Sequence, residues 1–424
     1  MANYLNMSRE DLAAEFALIK AKYEELLSSN LSLDMSRGKP NFDNTDLCED
    51  LLCCVNKETG FKDASGTDCR NYGGMDGIAE LKKLFGDILD MPSNQVIIGG
   101  NASLNMMFDT IAQGVTHGFG STPWGKQEGL KFLCPAPGYD RHFGVTEYFG
   151  FELVYVKMTE NGPDMDQVEE LVKDEKVKGM WCVPKYSNPE GLTYSDETVR
   201  RLAALKPAAS DFRIFWDNAY VVHDLYDESD NLLNIYDECV KVGNDDLVFM
   251  FTSTSKITFP GAGIAAMAAS PNNIAMIKSR LTYQTIGPDK INQLRHARFL
   301  PDLAAVKNQM KKHADILRPK FESVLAELDK QLSDKGIAKW SNPKGGYFIS
   351  LYVLEGTAKR VAELCKNAGM VLTPAGATFP YGKDPYDSNL RIAPSFPSVD
   401  EIKLAAEVLC ITVRYAALEK LLGC

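Results

Sequence analysis

The chain has 424 residues, of which 45% are hydrophobic and 24% charged, with a net charge of −11. That size accommodates a large core and more than one lobe. The acidic balance argues against a nucleic-acid partner or a membrane-surface role, and no run of about 18 apolar residues offers a membrane span. The start lacks a charged-then-apolar leader, and the ten cysteines read as reduced thiols of a cytoplasmic protein. Cys53-Cys54 is too closely spaced for a metal knuckle, and no metal site is expected. Asn101-Ala102-Ser103 fits a glycosylation sequon, read here as chance.

In chain order, the first predicted element is an amphipathic helix capped by Ser8, with Leu12, Phe16, Ile19, Tyr23 and Leu26 on one face. An irregular stretch, Met35 to Pro40, follows. Seven short apolar runs then read as strands: Gln95–Ile98, Leu130–Cys134, Phe151–Val156, Gly179–Val183, Arg213–Trp216, Leu247–Phe251 and Ile264–Ala268. Several are apolar on consecutive residues, as in strands buried on both faces. Helix-like segments at Leu104–Thr116, Asp166–Lys173 and Asp196–Leu205 separate them. The expected architecture is α/β: a seven-stranded, mostly parallel sheet with helices on both faces. Beyond residue 300 the pattern changes to a long helix at Ala304–Leu332, strands at Gly346–Tyr352 and Leu390–Ala393, and helices near Ala358–Ala368 and Val399–Leu422. These form a smaller α+β lobe, which the first helix joins. The expected division is 46–299 for the large domain, with 1–45 and 300–424 forming the small one.

Four polar residues stand out between and after these runs. Lys256 closes Ser253-Thr254-Ser255-Lys256 after one apolar run. A buried lysine with a lowered pKa is a good nucleophile toward an aldehyde, although that string by itself also fits a surface lysine. Asp217 follows Phe215-Trp216 at the carboxyl end of a strand, where α/β sheets place ligands; helix capping is its plainer reading. Tyr220 and Asn188 fit contacts to a ring oxygen, against the plainer readings of a core tyrosine and an Asn-Pro turn. A lysine able to form a Schiff base and an acid for a pyridinium nitrogen are the minimum set for pyridoxal phosphate. Ile98-Gly99-Gly100-Asn101-Ala102-Ser103 supplies a strand–glycine–helix turn of the kind that binds phosphate. Tyr139, after Pro135-Ala136-Pro137-Gly138, fits stacking on the ring. Arg391, in Asn389-Leu390-Arg391-Ile392, fits a carboxylate clamp; an isolated strand arginine more often makes a salt bridge.

The order and spacing of these residues resemble the fold-type I pyridoxal-phosphate enzymes, and among them the aspartate aminotransferases. The resemblance extends over Leu33 to Phe396. It includes Gly38-Lys39-Pro40-Asn41-Phe42-Asp43 as a substrate-loop motif, Tyr72-Gly73-Gly74-Met75-Asp76-Gly77 with Leu81, and Pro343-Lys344-Gly345-Gly346-Tyr347-Phe348 in the small domain. It implies that Lys256 binds the cofactor and shuttles a proton, Asp217 pairs the pyridinium, Tyr220 and Asn188 hold the phenolic oxygen, and Arg391 binds the substrate α-carboxylate. It further implies a homodimer in which Tyr72 reaches the neighbour's cofactor phosphate, and ping-pong transfer between an amino acid and an oxo acid, aspartate and 2-oxoglutarate first. Family members carry a phosphate-binding arginine eight residues after the lysine, where this chain has Ile264. The phosphate is then left to Ser253, Ser255, Asn101, the helix N-terminus or another cation. Pro260-Gly261-Ala262-Gly263 and Gln284 to Lys290 resemble a divergent bacterial subgroup related to the aminotransferase-like part of pyridoxal-phosphate-dependent regulators; no helix-turn-helix segment of adequate length precedes the resemblance. For the distal carboxylate of a dicarboxylic substrate, Arg37 is the first candidate and Arg280, Lys290 and Arg141 are weaker ones, with surface charge an equally good reading of each. Two rival activities are β-elimination or decarboxylation on the same scaffold, and a non-catalytic sensor of pyridoxal phosphate and an amino acid.

Overall fold

The computed structural model describes residues 3–423. Eight strands form the main sheet: β1 Val96–Ile98, β2 Lys131–Ala136, β3 Glu152–Thr159, β4 Gly162–Pro163, β5 Val177–Cys182, β6 Arg213–Asp217, β7 Val248–Ser253 and β8 Ala265–Ala269. Their order is β1-β8-β7-β6-β5-β2-β3-β4. The pairs from β7 through β3 are parallel, whereas β8 runs antiparallel to both β7 and β1. Each of the seven apolar runs overlaps one of these strands, with ends that differ by one or more residues. The eighth, β4, is two residues long and turns back antiparallel on β3; two residues are too few to show a periodicity.

Alternation along the central strands explains the two-sided burial. Phe215, Phe249 and Phe251 face one core with Phe132 and Trp181. Ile214, Trp216, Val248 and Met250 face the other. The helices flanking the sheet include Ser103–Thr116, Met165–Leu171 and Asp196–Ala203, close to the predicted segments. Helices at Ala79–Leu89, Asp140–Tyr148, Ile235–Val242, Pro271–Gln284 and Lys290–Phe299 lie in segments for which the sequence reading specified no element.

A third core gathers around a small antiparallel sheet of β9 Ala338–Trp340, β10 Ile349–Val353 and β11 Asn389–Ile392. The first helix, Arg9–Ser28, packs here through Leu12, Ile19 and Tyr23, and the Ser8 hydroxyl accepts its Asp11 N–H at 3.1 Å. Leu33-Asp34 pairs in parallel with Met370-Val371, so the N-terminal segment is stitched to the same region. The helix Leu303–Leu332 spans two cores: Val306 and Met310 belong to one, and Leu317 through Leu332 to the other. All nine cysteines among the described residues are unbridged, and Cys424 lies outside them. No helix among the described residues is long and apolar enough to cross a membrane.

Phe215 is fully buried and its ring meets those of Phe132, Trp181, Phe249 and Phe251 at 4.8 to 6.0 Å. Phe215→Ala should cost about 3–5 kcal/mol of stability, read as a lower urea midpoint by circular dichroism. A loss under about 1 kcal/mol would contradict this packing.

Candidate active site

Strands β6 and β7 are parallel neighbours, so their carboxyl ends place Asp217 beside the turn that carries Lys256. Asp217 is 4% exposed. Its Oδ2 lies 2.9 Å from His142 Nε2, while its Oδ1 is buried with no hydrogen-bond partner among the described residues. A carboxyl oxygen buried without a partner is costly, and a ligand that donates here would satisfy it. His142 itself is held by rings: it stacks on Trp181 at 4.5 Å and meets Tyr139 edge-on at 4.9 Å. Tyr139, His142, Trp181, Ser187 and Asn188 line a small cavity at this point. Burial and the nearby Asp217 charge push the Tyr139 phenol up to about 12, so it remains a neutral ring.

The Lys256 ammonium nitrogen lies 5.2 Å from the centroid of the Tyr220 ring and 5.9 Å from that of Tyr347. Burial lowers its pKa, with Asp217 opposing, and it forms no ion pair among the described residues. The free-amine fraction needed for nucleophilic attack is thereby raised. Burial holds the Tyr220 phenol well above its ordinary pKa, which keeps it a hydrogen-bond donor. His223 meets the Tyr220 and Tyr347 rings edge-on, and the Tyr347 hydroxyl has no hydrogen-bond partner among the described residues.

The turns after β1 and β7 meet at a polar cradle. The Ser253 hydroxyl donates to Ser255 Oγ at 3.0 Å, and Ser255 Oγ donates to the Asn101 carbonyl at 3.4 Å. Ala102 caps the helix Ser103–Thr116 and has no side chain to satisfy its first N–H groups. A Cβ on Gly100 would meet nothing within 4 Å, so the cradle is open there. Ile264 is 2% exposed and packs into the core, away from the cradle. The residue at the cradle wall is Gly263, whose Cβ direction points 3.2 Å from the Asn101 carbonyl and from Thr254 Oγ1. The absent side chain nearest the cradle is therefore that of position 263. Among the described residues no lysine or arginine hydrogen-bonds to residues Gly99–Ser103.

Arg391, on β11, reaches across to the large sheet. Its Nη1 donates to Asp140 Oδ1 at 3.0 Å and Asn188 Oδ1 at 3.3 Å, and Nε and Nη2 donate to Thr373 Oγ1. The guanidinium lies 5.0 Å over Phe348, whose ring packs directly against Gly38. Phe348 in turn meets Tyr220. Contacts thus connect Lys256, Tyr220, Phe348, Arg391 and Asn188, while Asp217 joins Tyr139 through His142.

The remaining candidates stand apart. Tyr72 is 78% exposed. Arg37 and Arg141 are exposed and unpaired among the described residues. Arg280 lies 3.8 Å from Asp109, and the buried Lys290 donates to the Gly73 carbonyl. Sequence reasoning missed His142, Trp181, Asp140, Thr373 and Phe348 as contacts of the named residues. It also missed the scaffold beneath Lys256. Thr254 and Thr258 lie 3.2 and 2.9 Å from His296 Nε2, and the Ile257 carbonyl lies 3.1 Å from His313 Nε2. No signal in the sequence marked these residues: four of the five histidines are buried, and burial is decided only by the fold.

A donor for Asp217 Oδ1, an amine of lowered pKa and an uncapped helix start fit the pyridinium, aldehyde and phosphate of pyridoxal phosphate. In comparisons with known proteins, a family model described as aspartate amino-transferase matches residues 7–424. An aspartate aminotransferase of Corynebacterium glutamicum is 48% identical over 403 residues, covering 95% of this chain and 93% of that protein. The crystal structure of an aspartate transaminase from Corynebacterium glutamicum matches with a TM-score of 0.97 at 47% identity, covering 99% of both chains. More distant is the α-aminoadipate aminotransferase of Thermus thermophilus, solved with N-(5'-phosphopyridoxyl)-L-leucine. It shares the fold at a TM-score of 0.73 and 18% identity, covering 98% of this chain and all of that one.

Burial depresses His296 and His313 from 6.5 to about 4. Thr254, Thr258 and Asn292 face His296, with Arg295 and Asp289 nearby. Asn44, Gln309 and the Ile257 carbonyl face His313, with Lys312 nearby. Each histidine is neutral in the fold and free to take a proton when unfolded. Its stabilisation is therefore full above about pH 6.5 and is lost as pH falls toward 4, up to about 3 kcal/mol for each. Thermal midpoints from pH 7.5 to 4.5 should fall more steeply for the wild type than for His296→Gln or His313→Gln. Parallel slopes would show that neither histidine is buried uncharged.

Proposed function

This chain belongs to the aspartate amino-transferase family and is a pyridoxal-phosphate-dependent aminotransferase, and we propose that it moves the amino group of L-aspartate to 2-oxoglutarate by a ping-pong mechanism. The observation that carries the reading is the buried, half-satisfied Asp217 carboxylate beside an unpaired Lys256, with Arg391 reached through Tyr220 and Phe348.

When bound, pyridoxal phosphate supplies an aldehyde carbon and a protonated ring that draws electrons from the substrate Cα. Asp217 Oδ1 would hold the ring-nitrogen proton, with His142 fixing the other oxygen so that the carboxylate does not rotate. Tyr139 would pack on the ring, and Tyr220 and Asn188 would donate to its phenolic oxygen. Gly100, Asn101, Ala102, Ser253 and Ser255 would receive the phosphate through backbone N–H groups and hydroxyls. Arg391 takes the α-carboxylate on its guanidinium fork, exchanging contacts now made to Asp140 and Asn188. Lys256 Nζ, once free, removes the proton at the substrate Cα and holds it for delivery, acting as general base and then acid. Arg37, next to Gly38 in the substrate loop, is assigned the distal carboxylate.

The active unit is a homodimer in this reading. Tyr72, Tyr283 and Ile286 are exposed by 78%, 93% and 66%. They sit on adjoining segments joined by the Gly73 N–H to Ile286 carbonyl bond of 3.2 Å, and a second copy would cover them, with Tyr72 serving the neighbour's phosphate. The two lobes, 46–299 and 1–45 with 300–424, then flank each substrate.

Aspartate added alone to the pyridoxal-phosphate form should release oxaloacetate in a single burst and abolish the visible absorbance, which 2-oxoglutarate then restores. Continuous pyruvate or ammonia release without an oxo acid would point instead to elimination. Arg37→Ala should raise KM for aspartate roughly a hundred-fold, the cost of one charge-assisted carboxylate contact, while leaving KM for an apolar amino acid little changed. Equal losses for both substrates would remove Arg37 from this role.

A further inference from the structure

Lys256 sits in one closed turn. The N–H groups of Ile257 and Thr258 both donate to the Thr254 carbonyl at 2.9 Å. The Ile257 carbonyl is spoken for from outside the turn: His313 Nε2 lies 3.1 Å away and Cys48 Sγ 3.4 Å away. His313 Nδ1 lies 3.0 Å from Asn44 Nδ2. An amide nitrogen only donates, so Nδ1 accepts and Nε2 carries the hydrogen that the Ile257 carbonyl requires; the Gln309 amide nitrogen, 3.4 Å from the same Nε2, donates instead to the Leu47 carbonyl at 3.3 Å. The amide orientation is itself set, because Asn44 Oδ1 accepts the Asn41 N–H. Asn41 Oδ1 accepts the Asn44 N–H at 3.0 Å, closing a reciprocal cap that begins inside the substrate-loop motif. These bonds form a continuous path from the Lys256 turn through His313, Asn44 and Asn41 to the loop.

The setting makes this path more than local packing. His313 and Asn44 are both completely buried. His313 stands on the helix Leu303–Leu332 between Met310 of one core and Leu317 of another. The loop residue Gly38 presses on Phe348 beneath Arg391. Burial keeps the imidazole neutral, with one donor and one acceptor, as the path needs.

We infer that His313 is a positioning residue that, through Asn44, holds the Lys256 turn in register with the substrate loop, so that ordering the loop over an amino acid also orders the lysine. The inference rests on the roles proposed above for Lys256 and for the loop. By linkage it is reciprocal: anything that orders one end must order the other.

The test is hydrogen–deuterium exchange of the full-length protein carrying pyridoxal phosphate, with and without succinate as an unreactive dicarboxylate. Succinate should slow exchange in residues 37–46 and in residues 253–258 together. His313→Leu removes donor and acceptor. It should speed basal exchange at 253–258 by roughly ten-fold, the loss of one buried hydrogen bond, and uncouple that segment from succinate. His313→Gln offers one donor and one acceptor and should restore both. Asn44→Leu should uncouple the two segments should the His313→Leu protein not fold. Wild-type exchange at 253–258 in folded His313→Leu or Asn44→Leu would overturn the inference. So would a His313→Gln protein as loosened as His313→Leu, because bulk rather than hydrogen bonding would then hold the turn. Exchange is read whether or not aspartate is turned over, so a failed activity assay combined with altered basal exchange would count against the substrate assignment and not against the coupling.

Discussion

A carboxylate buried at the carboxyl edge of a parallel sheet sets the terms for the rest of this structure. Asp217 has one oxygen secured by His142 and the other left without a donor. A folded chain tolerates such a group where the surroundings hold it rigid and a ligand completes it. The surroundings do hold it: β6 lies between parallel neighbours, phenylalanine and tryptophan rings fill one face of the sheet, and His142 is wedged against Trp181. The aromatic core and the polar site are therefore two sides of one strand, with alternation deciding which residue faces which.

The lysine turn is held differently. It is tied by neutral groups, the Thr254 and Thr258 hydroxyls to His296 on one side and the Ile257 carbonyl to His313 on the other. Neutral ties suit this place. A cation within the same buried volume would depress the Lys256 amine further, and an anion would hold it as ammonium. With uncharged partners, burial and Asp217 are left to set its proton affinity. The glycine at position 263 continues the pattern, because the cradle wall bears no charge and leaves room at the Asn101 carbonyl.

On the substrate side, charge is gathered from elements far apart in sequence. Arg391 belongs to the small sheet, Asp140 and Asn188 follow strands of the large one, and Gly38 comes from the N-terminal segment. Phe348 is the common contact, lying under the guanidinium and against Gly38. A large residue at position 38 would collide with that ring, which ties the shape of the loop to the small sheet.

Much of this architecture is legible in the residues. Runs such as Arg213–Trp216 and Leu247–Phe251 declare buried strands, because a strand covered on both faces has no polar position to interrupt it. The ends of those runs mark where Asp217 and Lys256 stand, since a chain leaving the carboxyl edge of the sheet also leaves its apolar layers. Local patterns could not supply β4 or Ala338–Trp340, too short to show a period, nor helices such as Asp140–Tyr148, whose boundaries depend on what they pack against. Neither could they pair His142 with Asp217 across 75 residues, nor Asn44 with His313 across 269. Whether position 263 or 264 faces the cradle was also undecidable from counting, because a turn precedes β8 and only the strand register fixes which side chain points into the core. The sequence by itself determined the sheet, its apolar faces and the polar residues at its edge, since these follow from periodicity and burial along a short stretch of chain. Only the tertiary structure decided the partners of those residues, because hydrogen bonds between distant segments exist only once packing has brought the segments together.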